Sequence, residues 1–412
     1  MGKLFFFNLL DNEKITYKDL LCRLNKKDIF YYPYCYTKRY SDIFINIIIS
    51  LLADNEIILL DTDFSKEELE NIFINKEKLL IKKRVVYPPL KDIQDLIFRI
   101  KNVSKWRITL FSSGTTGLPK KITHTFSSIT KEVKISKDKI NNIWGFAYSP
   151  THIAGLQVFF QALLNCNSII NFFQLLRKDI FKLIKKYQIT NISATPTFYR
   201  QLLPFGDIFL SVEKITFGGE KYDKKILKEV KKIFPKAKIL NIYALTETGT
   251  IFASKGDNFT LKDKYKDLIK ILDNELLIHK DLLGEFDLLE LKNSSWYHTG
   301  DIVEIIKKNP LEFKFKYRKS EMINVGGYKV SPYEVEEIIR KHPKVQNVVV
   351  YGKPNSVMGN LVYCDIVLKD NEITEKDVRL FLINKLQRFK IPRVINFVDN
   401  ISIARTGKVK RL

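Results

Sequence analysis

Hydrophobic positions along this chain come in short runs, separated by longer stretches in which apolar residues recur with helical spacing. Residues 41–53 are apolar around most of the helical circumference and predict a buried helix. Residues 56–60 (EIILL) predict a buried strand and 66–74 a further helix. Short strand-like runs follow at 108–111, 191–194 and 214–217, then a charged amphipathic helix at 222–234 and a strand at 237–243. This alternation, from about residue 40 to 320, predicts an α/β layered domain with mainly parallel sheets. Ligands of such sheets gather where the strands' carboxyl ends open into loops. Residues 112–120, 218–220 and 244–249 lie at such ends.

The texture changes near residue 317. A strand pattern at 312–317 leads into a glycine turn at 324–328, then a helix at 331–341. Ser331 can cap that helix, Pro332 fits its first turn and Glu334 completes a capping box. Strands at 345–351 and 362–367 and a helix at 375–385 complete a small α+β unit with a basic tail. The expected fold is therefore α/β: a large N-terminal layered α/β domain, 1–317, plus a small C-terminal α+β domain, 318–412.

A chain of 412 residues fits two or three structural units, and a hydrophobic share of 45% supplies their cores. The net charge of +23, from 69 Lys and Arg against 46 Asp and Glu, favours anionic ligands or partners. The basic residues are spread along the chain, and no basic stripe interleaved with aromatics points to nucleic acid. Cys22, Cys35, Cys166 and Cys364 form no CxxC pair or disulfide framework, which fits a reduced, cytoplasmic setting. The five histidines lack metal-ligand spacing. The apolar run 43–53 is too short to span a bilayer, and MGKLFFFNLL makes a poor signal peptide.

The chemistry concentrates first in LFSSGTTGLPKKITHT, residues 110–125. Glycine lets a backbone approach a ligand closely, hydroxyls and bared N–H groups donate to anions, and lysine adds a point charge. The stretch suits polyphosphate, or is a plain polar turn. It is not a Walker A loop, because no Gly-Lys-[Ser/Thr] ending follows. Thr246 and Glu247 come after a strand and a tight turn, where they can supply a helix N-terminus with a cap and a favourable acid. Asp301 offers a carboxylate acceptor, though Gly300-Asp301 alone reads as a loop turn.

Five segments occur in a fixed order: FSSGTTGLPKK (111–121), YALTETG (243–249), YHTGD (297–301), YRKSEMINVGGYKVSPYEVE (317–336) and TGKVKR (406–411). With SPTHIAGL (149–156), ATPTFYRQLL (194–203) and TFGGE (216–220), they resemble the adenylate-forming (AMP-binding) superfamily. That superfamily holds acyl-CoA synthetases, peptide-synthetase adenylation domains and luciferases, and this chain is most similar to a short acyl or aryl acid–CoA ligase. The resemblance implies ATP-dependent activation of a carboxylic acid to an acyl-adenylate with release of pyrophosphate. Transfer to a thiol then gives a thioester and AMP.

On that resemblance, Ser112, Ser113, Gly114, Thr115, Thr116, Gly117 and Lys120 would hold the β- and γ-phosphates. Tyr243 and Ala244 would meet the adenine, with Gly218, Gly219 and Glu220 on its other face. Thr246 would contact phosphate, Glu247 would hold Mg²⁺, Asp301 would bind ribose, and Arg318 ribose or phosphate. Lys408 would be the adenylation lysine, and Ser320, followed by Glu321, the hinge of a mobile C-terminal domain. Gly326 and Gly327 would pass the pantetheine arm, and His152, Gly155 and Phe217 would border the acid pocket.

Relatives that activate amino acids place an acid near the 149–152 segment; Ser149-Pro150-Thr151-His152 offers none, which favours a fatty, aryl or other non-amino acid. The implied cofactors are ATP and Mg²⁺, with CoA or phosphopantetheine as the thiol. Arg388, Lys390, Arg393, Lys410 and Arg411 could meet CoA phosphates or an acidic acyl carrier protein. A non-catalytic binding homologue is the competing class; the presence of Glu247, Asp301, Arg318 and Lys408 weighs against it.

Overall fold

The computed structural model describes all residues except 1, 114–118, 204–205, 221–223, 286–293, 327, 357, 370–372, 384 and 403–412, and omits the side chains of 112, 113, 119, 224 and 225. The chain forms two compact units, residues 1–256 with 278–297, and residues 257–277 with 298–412. The expected division at 317/318 falls inside the second of these.

An eight-stranded sheet organises the first unit. Its order is Gly249–Ser254, Lys238–Leu245, Lys214–Gly218, Asn191–Ala194, Ile143–Phe146, Ser168–Asn171, Leu4–Asn8, Glu13–Thr16. The six inner strands run parallel and the two edge strands antiparallel. This is the mainly parallel layered sheet that the alternation predicts. Most inner strands are buried on both faces, as two-sided cover by helices demands.

Two helices, Tyr40–Leu52 and Ile153–Leu163, are buried on nearly every side. They meet where the Phe44 and Phe159 rings stack at 4.5 Å. A smaller sheet in the same unit orders Tyr34–Cys35, Ile57–Leu59, Arg107–Ser113 and Pro119–Thr125. Its last two strands form an antiparallel hairpin that sets Ser112 opposite Lys120 and Ser113 opposite Pro119.

A five-stranded sheet, most of whose residues belong to the second unit, orders Asn258–Thr260, Glu312–Arg318, Trp296–Lys307, Glu275–His279 and Ile269–Leu272. A further sheet pairs Tyr328–Val330, Ile323–Val325, Gly359–Leu368 and Val345–Asn355, with Val394–Phe397 parallel to Gly359–Leu368. Helix Pro332–Ile339 starts with Ser331 accepting from the Glu334 N–H and Pro332 in the first turn, as its sequence predicts. It helps cover this sheet over a core of its own that includes Val330, Val335, Val350 and Ile366. Among the described residues no helix is long and apolar enough to cross a membrane.

Candidate functional site

The chemistry of the first unit centres on the turn between strands Lys238–Leu245 and Gly249–Ser254. Gly249 closes this turn at φ +66°, a conformation that L side chains rarely adopt. The turn carries Thr246 and Glu247, and three neighbouring segments hold it. The buried His124 ring lies with Nε2 2.8 Å from the Thr246 carbonyl oxygen. The Gly284 N–H donates to the Glu247 carbonyl at 2.6 Å. The Tyr297 hydroxyl donates to Glu247 Oε1 at 2.9 Å, and Lys120 Nζ stands 3.4 Å from the same oxygen. The Lys120 ammonium also sits 4.9 Å from the centre of the Tyr297 ring, a cation–π arrangement.

Because Nε2 faces a carbonyl, it must carry the His124 proton, and Nδ1, 3.1 Å from Ser128 Oγ, accepts. Burial is the main force holding the His124 pKa below its ordinary value, against the opposing pull of the Thr246 carbonyl. A neutral imidazole is therefore built into the support of this turn. Space for it depends on Gly284, where a Cβ would lie 2.9 Å from the ring.

The strand Lys214–Gly218 is followed by Gly219 at φ +81°. The Glu220 carboxylate accepts from the Thr197 N–H at 2.9 Å and from the Thr197 hydroxyl, with Arg200 Nη1 at 3.8 Å. It thus anchors the first turn of helix Pro196–Gln201. Tyr243 has its ring 5.9 Å from that of Phe252. A Cβ on Gly218 would lie 3.2 Å from the Tyr148 hydroxyl. Burial pushes the Tyr148 phenol well above its ordinary range.

Phe217 is fully buried, its ring 4.5 Å from that of Tyr199 in the core. A Cβ on Gly155 would fall 2.2 Å from the Ser149 carbonyl oxygen, so glycine alone lets the helix start pack on the 149–152 segment.

His152 Nε2 lies 3.5 Å from Asp61 Oδ2, and the Thr151 hydroxyl 3.4 Å from the same oxygen. Asp61 is buried and comes from the end of a different strand segment, after Ile57–Leu59. An acid therefore does stand beside 149–152, and the local sequence argument against an amino-acid substrate fails on that point. It came from long-range packing, which local spacing does not reveal.

In the second unit Arg318 forks onto Asp301, with Nε to Oδ1 at 2.8 Å and Nη2 to Oδ2 at 3.3 Å. Register sets the pair: Asp301 lies directly opposite Arg318 on neighbouring antiparallel strands. Asp301 is almost wholly buried while Arg318 keeps about a third of its side chain exposed, at 33%. Just beyond, buried Glu275 takes Lys319 Nζ at 2.8 Å and the Gly300 N–H at 2.8 Å. Its desolvation is outweighed by Lys319, His298 and that N–H, which hold its pKa below the usual value.

Ser320 is exposed in the short turn Lys319–Glu321. Gly326 takes φ +55°, and its N–H donates to the Met358 carbonyl at 2.7 Å. Gly114, Thr115, Thr116, Gly117, Gly327 and Lys408 lie outside the described residues, as do the side chains of Ser112 and Ser113. His124 and Tyr297 stand inside quoted segments without a role assigned there, and Gly284 and Asp61 lie outside the quoted segments.

Among the described residues no three His, Cys, Asp or Glu side chains group as a metal cage. The single Glu247 carboxylate in its turn fits Mg²⁺ that arrives with a nucleotide, since that ion keeps water and phosphate oxygens as its other ligands.

The AMP-binding enzyme family matches residues 62–272, just over half of the chain, and the AMP-binding enzyme C-terminal domain matches residues 334–408. The chain is 25% identical over 351 residues to a 2-succinylbenzoate–CoA ligase of Staphylococcus epidermidis, covering 78% of this chain and 71% of the relative. It is 23% identical over 356 residues to the ligase of that name from Bacillus licheniformis, covering 79% and 72%. Its fold matches o-succinylbenzoate CoA synthetase from Bacillus subtilis, solved with ATP and magnesium ion, at TM-score 0.69, 17% identity and 99% and 95% coverage. It also matches ATP-bound MatB from Rhodopseudomonas palustris at TM-score 0.72, 20% identity and 99% and 94% coverage. The turn that presents Thr246 and Glu247 lies inside the first matched segment, and the chain belongs to the AMP-binding enzyme family.

Proposed function

We propose that this protein is an ATP-dependent, AMP-forming acid–CoA ligase. The observation that carries the reading is the Lys120–Glu247–Tyr297 cluster, a cation and a carboxylate brought together by the 243–249 turn and the strand Pro119–Thr125. Relatives named as CoA ligases and a synthetase solved with ATP and magnesium ion support it.

In the first half-reaction a substrate carboxylate oxygen attacks the α-phosphorus. The bond from that phosphorus to the bridging oxygen breaks, and pyrophosphate leaves. In the second, the thiol sulfur attacks the acyl carbon, the acyl–oxygen bond breaks and AMP departs with the bonding pair. Neither step needs a strong base, so the protein's work is to bring anions together and spread charge on phosphate.

The hydroxyls of Ser112, Ser113, Thr115 and Thr116 and the Lys120 ammonium would grip the departing pyrophosphate. Glu247 would hold Mg²⁺, whose bound charge would neutralise phosphate oxygens. Thr246 would donate to phosphate, and Gly218, Gly219, Tyr243 and Ala244 would frame the adenine. Glu220 would act indirectly, by fixing the loop through Thr197. Asp301, oriented by Arg318, would accept from the ribose diol. Lys408 would bridge the substrate carboxylate and the α-phosphate. Residues 318–412 would then reorient about Ser320 so that Gly326 and Gly327 admit the pantetheine arm.

The proposed substrate is a non-amino carboxylic acid, bound near His152. Support now comes from the named relatives, and Asp61 accepts from the Thr151 hydroxyl with His152 Nε2 3.5 Å away. The test is AMP release by the purified chain with an acid panel, supplying free CoA or a phosphopantetheinylated carrier protein. Faster release with CoA is expected; release with the carrier alone would reassign the acceptor.

A further inference from the structure

We propose that Tyr297 is a positioning residue that fixes one oxygen of the Glu247 carboxylate and presents the other to a divalent cation. This rests on the reading of Glu247 as the cation-holding acid. The backbone of the turn is already pinned, with His124 on the Thr246 carbonyl and Gly284 on the Glu247 carbonyl. What remains variable is the Glu247 side chain, and its contacts converge on one atom. Both the Tyr297 hydroxyl and Lys120 Nζ meet Oε1, and among the described residues Oε2 takes no hydrogen bond. The carboxylate is only 12% exposed and Lys120 14%, so water does little of this holding.

The two holders differ in what nucleotide does to them. Lys120 is the second residue of the strand Pro119–Thr125, directly after the Gly-rich segment in sequence, and its charge is drawn towards incoming triphosphate. A phenol is neutral and stays. Once Lys120 turns to phosphate, Tyr297 keeps Oε1 in place. The aromatic ring adds a resting position for the ammonium at 4.9 Å while the site is without nucleotide. Phenylalanine would keep the ring and remove only the hydroxyl.

The experiment titrates Mn²⁺ by electron paramagnetic resonance into the full chain with α,β-methylene-ATP, comparing wild type, Tyr297→Phe and Glu247→Ala. Tyr297→Phe should weaken Mn²⁺ binding about ten-fold, the factor one hydrogen bond to a charged group supplies. The Mg²⁺ concentration for half-maximal pyrophosphate exchange should rise in step, and saturating Mg²⁺ should restore the rate to within about two-fold. A folding defect would not be rescued by metal. Wild-type Mn²⁺ binding in Tyr297→Phe, with weakened binding in Glu247→Ala, would overturn the positioning role alone. Unchanged binding in Glu247→Ala would overturn the parent reading of the acid as well.

Discussion

Replacing His124 by Ala or Gln separates the support of the Thr246–Glu247 turn from its chemistry. The ring is buried and bridges Ser128 Oγ at 3.1 Å and the Thr246 carbonyl at 2.8 Å. Ser128 keeps a second partner, the Thr125 carbonyl at 3.1 Å, so its hydroxyl is not orphaned. The Thr246 carbonyl loses its imidazole donor, a loss worth about 1–3 kcal/mol. Truncation to Ala adds a cavity term, giving about 2–4 kcal/mol in total.

The pH dependence gives a second handle. Burial lowers the folded-state pKa of His124, Lys131 lowers it further, and Glu247 and the Thr246 carbonyl raise it. The unfolded chain protonates near pH 6.5, above the folded value, so it binds more protons as pH falls. Stability contributed by neutral His124 is therefore fully present above about pH 6.5 and is lost below it, by at most about 1.4 kcal/mol per pH unit. Urea unfolding at pH 7.5, 6.5 and 5.5 should show wild type losing more stability across this series than His124→Gln. Parallel pH curves for the two proteins, or a stability loss for His124→Ala under about 0.5 kcal/mol, would refute the reasoning.

Gly155→Ala should cost about 1–3 kcal/mol or more by overpacking, because its Cβ would meet a backbone oxygen at 2.2 Å, and should raise KM for the acid by shifting His152; denaturation and steady-state kinetics measure both. Asp301→Asn should raise KM for ATP about ten-fold with a near-unchanged melting temperature, since water can reach the partly exposed Arg318; an unchanged KM would remove Asp301 from ribose binding. Lys408→Ala should abolish adenylation yet leave transfer from a pre-made acyl-adenylate largely intact; equal loss of both half-reactions would count against the domain-reorientation step.

Much of the fold is legible in local pattern. Residues 214–217 and 237–243 are strands within a residue or two of expectation, and the 331–341 helix begins on its predicted cap. The strand Pro119–Thr125 is masked in the sequence, because Pro119 and two lysines suggest the basic end of a loop. Yet Ile122 and His124 are buried while Lys121 is exposed and Thr123 half-exposed, the period of two that marks a half-buried strand. That alternation was the one signal that could have drawn attention to His124. Contacts set by tertiary packing left no such trace. Asp61 reaches His152 across 91 positions, and Tyr297 reaches Glu247 across 50. Neither spacing follows a helical or strand period, so only the folded chain brings these groups together.

The most direct measurement is Mg²⁺-dependent exchange of radiolabelled pyrophosphate into ATP by the purified chain, across short, long, aromatic and dicarboxylic acids with 2-succinylbenzoate included. At least one acid should drive exchange above the acid-free rate, and adding CoA should then release AMP. No exchange with any acid, from a protein that binds ATP and melts cooperatively, would contradict acyl-adenylate formation at this site.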